Sequence, residues 1–277
     1  MTVIENVKMS EAAYTVALLD DVNVNGALKL PRTGTYRKLT ITSDGKTLSF
    51  TGNITATGEL EIMNTNLDAV RNSVSCKYTI SAGRNPFTSE NADLGLAGIS
   101  GTADTTLKNT AMSGAVRAGK LTLNGTDTIL GTITATELCS VEDGTVLNIL
   151  ANTRGVMSIT KNGITENSED ITIKLIDSDK NAVPAANKAV IASNFRGSYN
   201  GQLILSDENG VYSIVLVKGK LILADNATIA ANSFDDIADD IDADLPDDET
   251  DADDTDGDTS EEDTSDDSIL KQTILGE

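Results

Sequence analysis

A short strand phrase that recurs along this chain limits its possible folds more than any other feature. Between Thr35 and Ile62, three runs (Leu39/Ile41, Leu48/Phe50 and Leu60/Ile62) each place two apolar residues two positions apart. Side chains on a strand alternate faces, so each run reads as a strand with one apolar side. Ser43-Asp44-Gly45 and Gly52-Asn53 separate the runs, and Gly and Asn accept the positive φ of a sharp corner. The phrase then returns. Ile54-Thr55-Ala56-Thr57 with Glu59-Leu60 comes back as Ile133-Thr134-Ala135-Thr136 with Glu137-Leu138. Asp44-Gly45 leading to Leu48-Ser49-Phe50 is matched by Asp143-Gly144 leading to Leu147-Asn148-Ile149. The figure Gly-x-Leu-x-Leu/Ile starts at Gly26, Gly58, Gly119, Gly201 and Gly219. A unit this small cannot bury its own apolar row, but stacked copies can.

The copies run in one direction and their corners recur without long crossovers. This pattern predicts an all-β chain folded as a mostly parallel, right-handed β-solenoid (β-helix). Residues 14–232 form the body, 1–13 a short N-terminal capping helix with Val3, Ile4 and Val7 on one face, and 233–277 a disordered acidic tail. Leu39, Ile41, Leu48, Leu60, Ile62, Leu121, Leu123, Leu138 and Leu147 are the predicted inward residues. The interval from Leu39 to Leu60 suits one coil of a three-sided solenoid, whereas the shorter interval from Leu121 to Leu138 departs from that period. Asn-Gly between alternating runs is also a hairpin signal, so an antiparallel sandwich is the rival fold. Locally, Val22 to Gly26 reads as a turn, Gly83 to Asp93 as the least regular part of the first half, and Asn162 to Asp170 as a polar break. Gly210 to Leu221 reads as a hairpin closing the body.

Charge separates the body from the tail. The formal net charge is -22, yet Asp235 to Asp267 holds 19 acidic residues and no Lys or Arg, which leaves the body near neutral. The tail lacks the apolar surface to repay ordering, and its like charges repel. Neither part carries a basic footprint, so nucleic acid is not an expected partner. No run approaches the ~20 apolar residues of a membrane-spanning helix, so no membrane insertion is expected. Ala12 to Leu19 is apolar, but Glu11 and Asp20-Asp21 flank it, unlike a signal peptide. The chain is therefore read as either intracellular or one segment of a longer exported protein, the second being favoured, and it is expected to be a monomer or a segment of a longer chain. Cys76 and Cys139 match no metal or disulfide framework and read as two buried thiols, with a disulfide left open.

The sequence contains no His, which removes Ser-His-Asp and Cys-His arrangements and His-ligated metals. Carboxylates remain, and Glu59, Glu61, Asp68, Glu137, Glu142 and Asp143 lie near strand ends with few basic residues beside them in sequence. Glycoside chemistry needs a carboxylate pair roughly 5 to 10 Å apart; charges on a solvated face are the simpler reading. Asp251 to Asp258 resembles a calcium loop, but counting back from Gly257 puts Ala252 at the first ligand position, although Asp263 stands at the twelfth. Thr-x-Thr pairs at Thr40/Thr42, Thr55/Thr57, Thr132/Thr134 and Thr134/Thr136 have the spacing of an ice-binding ladder, and equally that of any exposed strand face. No catalytic, cofactor-binding or metal-binding residue is assigned, and no cofactor is expected.

Three stretches, G-T-Y-R-K-L-T-I-T from Gly34, Y-T-V-A-L-L-D-D-V-N-V from Tyr14 and G-K-L-T-L-N-G-T from Gly119, resemble the repeat modules of large, adhesin-like surface proteins of anaerobic gut-type bacteria. The resemblance spans roughly residues 14 to 230. It implies a β-solenoid in an extracellular, structural or adhesive role, with glycans or host or neighbouring surface proteins as partners and no catalytic residues. A polysaccharide-active β-helix enzyme, a lyase or hydrolase, is the alternative.

Overall fold

The structure, a computed structural model, describes residues 13–29, 38–69, 78–101, 103–152, 154–207 and 209–231. The predicted cap (apart from Ala13) and the predicted tail lie outside these residues, as does Cys76. The described chain is all-β apart from one short helix, and its strands pair almost entirely in parallel.

The chain visits three rows of strands in turn, one circuit after another. The first circuit is β1 (Ala13–Leu18), β2 (Val22–Val24) and β3 (Leu28–Lys29). The second is β4 (Lys38–Ser43), β5 (Thr47–Phe50) and β6 (Ile54–Thr55); the third is β7 (Glu59–Met63), β8 (Asn66–Ala69) and β9 (Thr79–Ser81). From here single strands bend through corners. These are β10 (Phe87–Asp93), β11 (Gly98–Ser100), β12 (Thr105–Met112), β13 (Val116–Asn124), β14 (Thr126–Ile129), β15 (Ile133–Ser140), β16 (Thr145–Leu150) and β17 (Met157–Ile164). The last circuits add β18 (Ile171–Ile176), β19 (Val190–Phe195) and β20 (Leu203–Leu205). The chain ends in β21 (Tyr212–Val217), β22 (Lys220–Asp225) and α1 (Asn226–Ala231). This pairing is compatible with a β-solenoid, not with the rival sandwich.

Register explains the sequence periodicity. On the first row, Leu39 stands against Leu60, Leu60 against Phe87, Phe87 against Thr105, Thr105 against Leu121 and Leu121 against Leu138. On the third row, Ile54, Ile80, Ile99, Val116, Ile133 and Met157 form a continuous inward column. All nine residues predicted to face inward are buried. Each such side chain contributes roughly 1.5 to 3 kcal/mol through burial. The short Leu121–Leu138 interval is therefore a complete circuit, not a departure. Cross-circuit contacts span 21 residues at Thr40–Glu61, 17 at Gly119–Thr136 and 36 at Ser158–Asn194. Extra residues are accommodated in loops between rows and, in β17 and β19, in irregularities of the ladder itself.

Asparagines turn several corners. Asn64, Asn91 and Asn109 lie in successive circuits with φ of 49°, 48° and 49°. Asn tolerates this left-handed conformation better than other residues with a side chain beyond Cβ. Their amides stack: Asn91 Nδ2 donates to Asn64 Oδ1 at 3.2 Å, and Asn109 Nδ2 to Asn91 Oδ1 at 3.0 Å. The next circuit has Gly125 here, and Thr126 N donates to Asn109 Oδ1 at 3.0 Å. A Cβ on Gly125, whose φ is 65°, would lie 2.2 Å from that oxygen, so a larger residue would have to displace the Asn109 amide from the ladder. Between the second and third rows, a Cβ on Gly114 would meet Ala97 O at 2.1 Å, and one on Gly131 would meet Gly114 O at 2.2 Å.

Local expectations fare unevenly. Val22–Val24, read as turn, is β2, because Val22 and Val24 pair with Leu48 and Phe50. Most of the supposedly irregular stretch up to Asp93 is β10; its pattern is masked where Asn91 turns the strand mid-run. The polar break starts later than Asn162, since β17 runs on to Ile164, which stands against Leu138. Ala13, placed in the predicted cap, belongs to β1. The closing hairpin forms as β21 and β22, and β22 also pairs antiparallel with β19. The helix α1 has no counterpart in the apolar pattern. Asp225 caps it, accepting Thr228 N at 2.7 Å.

Candidate functional site

Of the six candidate carboxylates, only Glu59 and Glu61 come together, both on Lys38. Glu59 and Glu61 project from β7 on the first row, Asp68 lies on the second row, Glu137 is several circuits further along the first row, and Glu142 and Asp143 sit at a corner. Asp68 accepts Ser49 Oγ at 3.5 Å, and Asp143 accepts the N–H of Gly144 at 2.8 Å.

Lysines from other circuits meet most of the others. Lys38 reaches both Glu59, at 3.8 Å, and Glu61. Glu61 also accepts Thr40 Oγ1 at 2.8 Å. Its hydrogen bond to Glu61 raises the Lys38 pKa above the ordinary lysine value. Lys108 lies 3.2 Å from Glu142 and 3.8 Å from Glu90. Lys120 lies 3.6 Å from Glu137. Stacking supplied these cations. Within the sequence the acids look short of basic neighbours, because each lysine comes from another turn of the chain. The two copies of the repeated phrase occupy the same position in the circuit, so Lys38–Glu59 and Lys120–Glu137 are the same cross-circuit pair built twice. Exposed pairs of this kind stabilise by ~0 to 1 kcal/mol each. Their main effect is to fix which residue stands opposite which.

Chemically, Glu59, Glu61, Glu137 and Glu142 are carboxylates paired with lysines, and Asp68 and Asp143 are carboxylates with neutral donors. A glycosidase general acid needs a raised pKa. Glu137 is shifted the other way, held down by Thr165 Oγ1 at 2.7 Å and Asn162 Nδ2 at 3.0 Å. Asp127 does have a raised pKa, pushed up by burial to about 7. It is fully enclosed, however, and accepts Thr110 N at 2.8 Å and Asn124 N at 3.3 Å inside the stack. It closes a corner and lies out of reach of any polymer. Asp127 sits among Thr and Gly, which hides its burial; its alternation with Ile129 is the available signal.

Cys139 is a buried free thiol 3.3 Å from Thr122 Oγ1, as expected of a small apolar side chain. The Thr-x-Thr pairs do not assemble into one array. Thr40 stacks on Thr15 but meets Glu61 on its other side, and Thr134 lies between Arg117 and Ser158. Among the described residues no group of three or more His, Cys, Asp or Glu could hold a metal ion, and no helix is long and apolar enough to cross a membrane. The calcium-like stretch of the tail lies outside the described residues. Compared with known proteins, the chain matches no family model, no curated protein and no solved structure.

Proposed function

We propose that this chain is a non-enzymatic structural or adhesive module of a bacterial surface protein, working outside the cell. The observation that supports this reading is the pairing of Glu59, Glu61, Glu137 and Glu142 with lysines across circuits of a long parallel stack. At ~4.8 Å per circuit, such a stack is a spacer that presents three faces along its length. We further propose that it winds right-handed, as nearly all parallel crossovers do, with the residues before Ala13 as its cap. Antibody labelling or protease shaving of intact source cells tests the location, and detection only after lysis would count against it. The polysaccharide-active alternative is tested by incubating purified chain with pectins and neutral glycans. No turnover is expected; turnover that is abolished by Glu59→Gln or Glu142→Gln would overturn the non-enzymatic reading.

The tail is proposed to be a solvated spacer. A strand stack invites edge-on addition of further strands, and 19 acidic residues between Asp235 and Asp267 would repel a second copy. That repulsion fades as salt shortens the screening length from ~8 Å at physiological ionic strength. Truncation after Asn232 is expected to increase association, measured by light scattering, most clearly at low salt. A truncated chain that is as monomeric as the full one at every salt concentration would remove this role.

A further inference from the structure

The stack is interrupted near its C-terminal end, leaving a cleft on the second row. β20 pairs with β18 only as far as Leu205 opposite Ile173, so Lys174 to Ile176 have no strand beyond them on that side. The chain after β18 returns to fill part of the gap. Ala182 bridges antiparallel to Ile176, and Val183 N donates to Leu175 O at 2.9 Å. Asp177 stiffens this return by accepting the N–H groups of Asp179 at 2.9 Å and Asn181 at 2.8 Å. Between the returning segment and the turn after β20 lies a cleft of about 430 Å³, within the range of small-molecule sites.

Its walls are chemically distinct. Leu175 and Pro184 supply an apolar side, Tyr212 an aromatic ring, and Ser206, Asn209 and Lys174 polar groups. The Asp207 carboxylate is already engaged by the N–H groups of Asn209 at 3.1 Å, Val211 at 2.8 Å and Tyr212 at 3.1 Å. These bonds hold Tyr212 and Asn209 in place. Lys174 forms no ion pair among the described residues, unlike Lys38, Lys108 and Lys120 on the first row. An aromatic ring beside hydroxyl and amide groups suits a sugar ring, which has one apolar face and a polar rim. An ammonium with no ion pair among the described residues, at the same place, suits a carboxylate.

We infer that this cleft binds a short saccharide carrying a carboxylate, a uronate-type sugar, with Tyr212 against the ring and Lys174 on the acid group. The inference rests on the adhesive reading above and gives it a location and a ligand class. The test is titration of the full chain with tri-galacturonate, and with cellotriose as the neutral counterpart, followed by calorimetry. Binding of the uronate is expected, at least tenfold tighter than the neutral trimer and weakened by salt. Lys174→Gln and Tyr212→Ala should each weaken it at least tenfold, while Tyr212→Phe should retain it; circular dichroism checks that each variant is folded. Binding that survives both substitutions, preference for cellotriose, or no binding of either sugar would each overturn this site. The surface-labelling experiment is independent of those outcomes, so the adhesive reading can stand when the site fails.

Discussion

Leu107→Ala is expected to lower the free energy of unfolding by about 2 to 5 kcal/mol, the range for a large side chain deleted from a packed interior. Thr106→Ala, one residue earlier on the same strand, should stay within about 0.5 kcal/mol. Leu107 is completely buried between Ser89 and Leu123 of the adjoining circuits. Thr106 points outward between Thr88 and Thr122. The contrast follows from strand alternation and from burial on the inner face alone. Denaturant melts of the two variants measure it. Similar losses at both positions would mean that this strand is not one-sided.

The second large effect concerns Asp127. Its folded pKa of about 7 lies above the ordinary aspartate value of 3.8, because burial outweighs the two backbone hydrogen bonds it accepts. The folded state therefore holds this proton more tightly than the unfolded state. The associated stability is fully present below the unfolded pKa and is lost as pH rises, the loss ending near pH 7. Over that window the cost is about 4 kcal/mol, from 1.36 kcal/mol per pKa unit. The carboxylates held low, Glu137 and Asp225 among them, act in the opposite sense, and their changes fall at acid pH. Stability measured from pH 5 to pH 8 should therefore decline in the natural chain and be nearly flat in Asp127→Asn. Parallel pH profiles for the two would contradict the assignment. Asp127→Ala should be destabilised at every pH, since it strips the partner from the buried N–H groups of Thr110 and Asn124.

What the sequence disclosed and what it hid have a common physical cause. The inner residues were legible because a strand has a fixed period of two: Leu39, Ile41, Leu60 and Ile62 announce their face locally. Circuit length was not legible, because nothing fixes it. A loop between rows can take up many residues without disturbing the ladder, so Leu39–Leu60 and Leu121–Leu138 are equivalent steps of different length. Corners were legible where glycine marked them, as at Gly45 and Gly144, with φ of 71° and 73°. Asn64, Asn91 and Asn109 went unrecognised because an asparagine within a polar stretch resembles ordinary surface, and only stacking reveals the amide ladder. The same holds for the candidate acids. Glu59, Glu137 and Glu142 stood out singly, while the lysines that neutralise them came from other circuits. Gly-x-Leu-x-Leu marks entry into a strand, not a place in the circuit. Gly58 and Gly119 lead into the first row, but Gly201 leads into the second and Gly219 into the closing hairpin.

Circuit-by-circuit stacking is tested most directly by distances along the first row. Thr15, Thr40, Glu61, Thr88, Thr106 and Thr122 stand in one column by register. Spin labels would be placed at Thr122 and, in separate samples, at Thr15, Thr40 or Glu61, with Cys76 and Cys139 replaced by Ser. Pulsed dipolar spectroscopy should then give backbone separations of about 24, 19 and 14 Å, at ~4.8 Å per circuit. Equal steps are expected although the intervening chain lengths differ. Distances that do not fall by a constant step from Thr15 to Glu61 would contradict the parallel stack.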